Sequence, residues 1–148
     1  MLSENDAWNI IKSHNDQVGL VSHQLDSYNR FVTHGINEIL TETGKIRIGD
    51  DLEINIYNAY VPRPQVTEDD RRVHALIPSD ARARSITYES PVLVSIGERT
   101  RDADGVWVEK TTNRVKLCSI PVMLKSAYCH LSTMTKSEKV KAGECEYD

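Results

Sequence analysis

Apolar residues recur every three or four positions from Leu25 through Tyr28, Val32 and Ile36 to Ile39, with Gln24, Asp26, Arg30 and Glu38 between them. That spacing predicts one amphipathic helix of about five turns, beginning at Ser22 and stopped by Gly44. Upstream, Ser3 and Asp6 form a capping pair for an earlier helix with Trp8, Ile11 and Ile10 on its inner face, ending between Asn15 and Gly19. From Lys45 the period changes to two. Ile46 and Ile48, then Leu52, Ile54 and Ile56, alternate with polar neighbours, which predicts half-buried strands joined at Gly49-Asp50-Asp51. Val61-Pro62-Arg63-Pro64 interrupts pairing, and the charged run Thr67 to Arg72 reads as a surface loop.

The stretch His74 to Ile96 switches period within itself. Pro78, Ser79 and Asp80 signal a short helix, after which Ile86, Tyr88, Val92, Val94 and Ile96 fall on alternate positions of a long strand. Pro91 lacks an amide donor, so there the strand must run along a sheet edge or bulge. Asp104-Gly105 closes a hairpin from Arg101, and Val106 to Val108 begin the return strand. Val115, Leu117 and Ile120 to Leu124 predict a further strand whose Pro121 suits an edge, and Thr133 to Asp148 reads as a polar, poorly ordered tail. The fold class expected is α+β, with N-terminal helices packed on a mostly antiparallel sheet.

Composition narrows the function classes. The 148 residues suit one domain, and 39% hydrophobic with only 6% aromatic residues implies a thin core that a partner completes. A formal charge of −4 argues against an autonomous nucleic-acid binder held by phosphate contacts. Cys118, Cys129 and Cys145 form no Cys-x-x-Cys pair, and an acidic N-terminal segment without a long apolar run points to an intracellular, reducing setting.

Candidate chemistry is sparse. Gly49-Asp50-Asp51 resembles the metal-binding turn of viral RNA-dependent polymerases, but Asp and Gly are equally what a tight turn requires, and no companion acidic motif lies nearby. Cys118, Cys129, His130 and Cys145 match no zinc spacing, so packing cysteines are the preferred reading. His14, His23, His34, His74 and His130 are scattered, with no nucleophile elbow or phosphate-cradling glycine loop. The middle of the chain carries a local basic excess, and Arg82, Arg84, Arg99, Arg101, Arg114 and Lys116 are the candidates for a weak, non-specific nucleic-acid contact. Lys110 belongs to the same basic stretch. For each of them a solvated strand or hairpin position is the plainer account.

Four stretches carry a family resemblance in collinear order: Gly19-Leu-Val-Ser-His-Gln-Leu-Asp-Ser-Tyr-Asn-Arg-Phe-Val32, the block His74 to Ile96, Ile120-Pro-Val-Met-Leu-Lys-Ser-Ala-Tyr-Cys-His-Leu131, and Gly143-Glu-Cys-Glu-Tyr-Asp148. Together they resemble the early part of the second-largest, beta-type subunit of multisubunit DNA-directed RNA polymerases, in its eukaryotic and large-DNA-virus form. The resemblance implies that residues 1–132 form the N-terminal segment and first part of the protrusion domain, an incomplete protrusion-like fold. Residues 133–148 would then be a polar tail truncated before the rest of the subunit. It further implies an architectural wall of the DNA cleft in transcription, non-catalytic by itself within a nucleotidyltransferase complex. No cofactor is expected in this segment, Mg and Zn lying elsewhere in the complex. The implied partners are the remainder of the subunit, the largest subunit, other polymerase subunits, and DNA through the complex. The implied setting is the nucleus, or host cytoplasm or virion for a virus. Strand borders that the family covers with later segments would be bare here, which invites association. A stand-alone interaction module, or a non-functional gene fragment derived from that subunit, is the alternative; an independent small enzyme has no motif behind it.

Overall fold

In the computed structural model, which describes residues 3–143, a reciprocal cap starts helix α1 (Glu4–Val18). The Asp6 amide donates to Ser3 Oγ at 3.2 Å and the Ser3 amide donates to the Asp6 carboxylate at 3.1 Å, as the sequence spacing predicts. Gly19, at φ 86°, ends the helix. The expected inner face is not covered: no residue of α1 is buried, and Trp8 is 63% exposed, because none of the described elements packs on it closely.

The second predicted helix forms as one continuous rod with a wider turn in its middle. Helix α2 (Ser22–Arg30) runs into a π-helical turn at Phe31–Gly35, where the Ile36 amide donates to the Phe31 carbonyl, and then into α3 (Ile36–Thr43). The Phe31 ring lies over Gly35, where a Cβ would stand only 3.2 Å from its edge. The side chains that pack inward are Tyr28, Val32, Ile36 and Leu40. A uniform spacing of four drifts by about 40° per step on an ideal helix, and the wider turn absorbs that drift. Leu40 thus takes the inward place expected for Ile39, which is exposed.

Gly44 reverses the chain at φ 64° into β1 (Lys45–Ile48), which returns through Gly49-Asp50-Asp51 as β2 (Leu52–Tyr60). After the proline segment come a small hairpin that the sequence did not signal, β3 (Gln65–Thr67) with β4 (Val73–Ala75), and helix α4 (Pro78–Ala83), with Pro78 in its first turn. Strands β5 (Glu89–Arg101) and β6 (Trp107–Pro121) complete an antiparallel sheet of order β1-β2-β5-β6.

Three strand expectations are corrected. Ile86 lies before β5, because its amide closes α4 on the Ala81 carbonyl at 3.0 Å, and Tyr88 also precedes the strand. Strand β5 is interior rather than a long edge. Over residues 89–92 its β2 side runs past the last paired residue, Tyr60↔Leu93, so Pro91 has no β2 partner for the amide it lacks. Val106 to Leu124 is one strand and a loop, since the hairpin return continues as β6 to Pro121 and the Val122 amide turns to the Tyr88 carbonyl at 2.9 Å. The Asp102 carboxylate organises the hairpin tip, accepting from the amides of Asp104 and Val106 at 3.0 and 2.9 Å. In the tail, a cap between Thr135 and Glu138 starts a helix, α5 (Lys136–Lys141), where poor order was expected.

The core sits where the helical rod crosses one end of the sheet. Val32 meets Val61, Val92 and Val94, flanked by Ile56, Ala59, Ile96, Val115 and Ile120. Strand β1 lies outside that cover and is exposed throughout, contrary to the half-buried strand expected; Ile48 is 52% exposed. A second small core, Val122, Cys129 and Leu131 with Tyr88, Tyr128 and Met134, lies under the loop after β6. Tyr28 ties rod to loop by donating to the Pro121 carbonyl at 2.9 Å, and Asn29 accepts from the Ala127 amide at 2.9 Å.

Strands β2 and β6 both bulge at the level of Val94 and Ser95. Tyr57↔Ser95 is followed by Tyr60↔Leu93 on one side, and Val94↔Val115 by Ile96↔Thr112 on the other. Each bulge holds a non-glycine residue in left-handed backbone, Asn58 at φ 54° and Arg114 at φ 58°. For an arginine that conformation costs roughly 1–2 kcal/mol. On the β2 side the helix supplies compensation: Asn37 accepts from the Ala59 amide at 2.8 Å and donates to the Ala59 carbonyl at 3.2 Å.

Two predictions follow from this scaffold. Asn37→Ala leaves both polar groups of Ala59 unpaired in a partly buried site and should lower stability by about 1–3 kcal/mol in chemical denaturation. Hydrogen bonds from the Ser3 hydroxyl and amide hold the Asp6 carboxyl below its usual 3.8, and the Thr135 amide and hydroxyl likewise lower Glu138. Because both folded pKa values are depressed, this capping support is present above the ordinary carboxylate range and is lost as pH falls through the folded values. The difference in far-ultraviolet helical signal between wild type and Asp6→Asn/Glu138→Gln should therefore be present at neutral pH and vanish in acid.

Candidate nucleic-acid interface

Alternation along the strands sends Ile46, Ile54 and Ile56 toward the helical side and Lys45, Arg47, Glu53, Asn55 and Tyr57 to the other. On that other side the register builds ranks across the sheet. Arg47, Glu53, Arg99 and Glu109 stand in one rank, alternating in charge. Glu53, only 8% exposed, serves both arginines: one carboxylate oxygen lies 3.0 Å from Arg47 Nε and the other 3.3 Å from Arg99 Nη1. The Arg99 guanidinium also stacks over the Trp107 ring, 5.3 Å from its centroid.

The next rank is Lys45, Asn55, Gly97 and Thr111. Gly97 leaves room for the Tyr57 ring, whose edge would stand 3.3 Å from a Cβ there. Beyond it lie Tyr57 and Ser95 between the two bulges, then Tyr60, Leu93 and Lys116. At the near end Arg101 pairs opposite Trp107 and donates to the Gly105 carbonyl at 3.1 Å.

The structure therefore gathers Arg99, Arg101 and Lys116 on one face, with Arg114 at the bulge beside them, and adds Lys45 and Arg47. Arg82 on α4 and Arg84 at its C-terminal cap stand apart. Arg84 is held by Glu68 at 2.7 Å, which raises the guanidinium pKa, and Glu68 also pairs with His74 Nε2 at 3.2 Å. Lys110 lies opposite Glu98 on the helical side. Lys45 and Arg47 were readable from the same period of two that marked Ile46 and Ile48. Glu53 was not, because only the register shows two arginines flanking it.

The other candidates are dispersed over the fold. Gly49-Asp50-Asp51 is the tip of the β1–β2 hairpin, with Gly49 at φ 64°. Cys129 is fully buried and accepts from the Tyr88 hydroxyl, while His130 Nε2 lies 2.8 Å from the Pro64 carbonyl. Cys118 is exposed on β6, and Cys145 lies outside the described residues, as does nearly all of the Gly143–Asp148 stretch. Among the described residues no three His, Cys, Asp or Glu side chains are placed to hold a metal ion, and no helix is long and apolar enough to cross a membrane. His14, His23 and His34 are exposed on the helices.

A mixed α+β unit whose polar sheet face is assembled from in-register charges has close relatives in sequence. Residues 19–148 match the family model for the RNA polymerase beta subunit. The chain belongs to that family. It is 35% identical over 153 residues to DNA-directed RNA polymerase II subunit RPB2 of Encephalitozoon cuniculi, covering 96% of this chain and 13% of that protein. To DNA-directed RNA polymerase II subunit 2 of Arabidopsis thaliana it is 31% identical, covering 99% of this chain and 14% of the relative. A probable RPB2 homolog of Invertebrate iridescent virus 6 is 29% identical over 97% of the chain and 14% of its own length. The chain thus spans about one-seventh of the curated relatives it matches.

Removing the shared carboxylate tests the rank. Glu53→Ala removes the carboxylate between the two guanidinium groups and leaves only Glu109 beside Arg99, and because both arginines remain partly exposed to water the expected loss is about 1–2 kcal/mol, read as a lower denaturation midpoint. Arg47→Ala, which removes the more exposed partner, should cost well under half of that.

Proposed function

We propose that this chain is the N-terminal segment and first part of the protrusion of a DNA-directed RNA polymerase second-largest subunit, serving as an architectural wall of the DNA cleft. The observation that carries the reading is the collinear match over nearly the whole chain to polymerase subunits of cellular and viral origin. Its partners are then the remainder of that subunit, the largest subunit and the other subunits, with DNA reached through the assembled complex. The nucleotidyl transfer belongs to the complex, with its Mg and Zn held by parts outside this segment. Within the segment the work is done by shape: the helical rod stiffens one side of the sheet, and the opposite side offers Arg99, Arg101, Arg114 and Lys116, joined by Lys45 and Arg47, to passing phosphates. Interspersed Glu53 and Glu109 keep that attraction weak and independent of sequence, which suits a wall along which nucleic acid must slide.

Purification of the native protein from its source tests the assignment. The chain is expected to elute at the mass of a multisubunit assembly together with a largest polymerase subunit. Elution alone, near its own 16.8 kDa, would overturn it.

A further inference from the structure

The paired bulges around Ser95 do more than end the register. They open a hollow of about 420 Å³ on the charged face, lined by Asn58, Tyr60, Leu93, Ser95, Asn113 and Arg114, within the roughly 300–1,000 Å³ range of ligand sites. Its chemistry is mixed in a particular way. Tyr60 is 62% exposed, an aromatic ring presented to solvent rather than to the core. Arg114 has no carboxylate partner among the described residues, whereas Arg47, Arg72, Arg84 and Arg99 each have one. Asn58 and Asn113 offer amide donors and acceptors at the rim, and Lys116 stands in the same rank as Tyr60.

A solvent-facing ring, an unneutralised guanidinium and side-chain amides within one open hollow match the parts of a single nucleotide: base, phosphate and base edge. Duplex DNA cannot use this arrangement, since its bases are stacked inside and present no face to a tyrosine. Left-handed backbone at both Asn58 and Arg114 fits the same reading, because bulges re-aim side chains that a regular ladder would send elsewhere.

We propose that this hollow is a subsite for one unpaired nucleotide of a nucleic-acid strand, the base stacking on Tyr60 and the phosphate held by Arg114 with Lys116. The inference rests on the polymerase reading, in which the face borders nucleic acid, and adds that the face distinguishes an opened strand from a duplex.

Fluorescence anisotropy with the full chain and a labelled oligothymidylate of roughly ten nucleotides tests it at low salt. Tyr60→Ala should weaken single-strand binding about tenfold, the loss of one base–aromatic stack. Arg114→Asn, which keeps a residue tolerant of left-handed backbone, should weaken it severalfold and flatten the salt dependence by about 0.7 in log–log slope. Lys110→Ala, on the opposite side of the sheet, should change nothing, and matched thermal melts exclude unfolding in each variant. Equal affinity for duplex and single strand, or single-strand affinity indifferent to Tyr60 and Arg114, overturns the subsite. So does absence of binding. Co-elution with a largest subunit is read separately, so the subsite can fail while the polymerase assignment stands, and the reverse.

Discussion

Burial of Val92 and Val94 beneath Val32 is the contact on which the rest depends. These side chains sit on the interior strand of the sheet, and the helical rod can reach them only by keeping Tyr28, Val32, Ile36 and Leu40 in line. A period-four stripe does not stay in line on an ideal helix, so the rod contains a π-helical turn. Closing that contact places Asn37 against Ala59, which in turn holds the β2 bulge. One apolar contact thereby shapes the side of the sheet that it never touches.

The two faces divide labour by the strand's period of two. The helical face spends its apolar residues at one end only, around Val61 and Ile96, and leaves Ile46, Ile48 and Val108 uncovered at the other. Together with the uncovered Trp8, Ile10 and Ile11 of α1, these surfaces agree with a chain that spans about one-seventh of its relatives. The opposite face mixes charged residues with Tyr57, Leu93 and Trp107 and is ordered at one end by ion pairing, with Glu53 as its most buried charge.

Much of this was legible in advance. Ser3 and Asp6 cap α1, Gly44 stops the rod, Asp102 to Gly105 turn the hairpin, and Pro91 sits where pairing on one side runs out, because each of these depends on a few adjacent residues. What escaped depends on distant ones. The amphipathic pattern of α1 could not reveal whether anything covers it. Leu40 displaced Ile39 through a turn type that leaves no simple mark in composition. The hairpin β3–β4 was hidden by its charged loop, and the return strand looked divided because its bulges break the alternation near Arg114 and Leu117. The candidate basic residues form a stretch along the chain, but only register could sort Arg99, Arg101 and Lys116 from Lys110.

Those same bulges have a consequence for the outer margin of β6. No described strand pairs with it, and a straight ribbon of that length would be a template on which other chains could lengthen into fibres. Arg114, twisted into left-handed backbone, and the offset at Leu117 divide the margin into three short runs, 107–112, 115–116 and 118–121. The distortion that shapes the charged face thus also leaves no long, regular run of unpaired backbone along that margin.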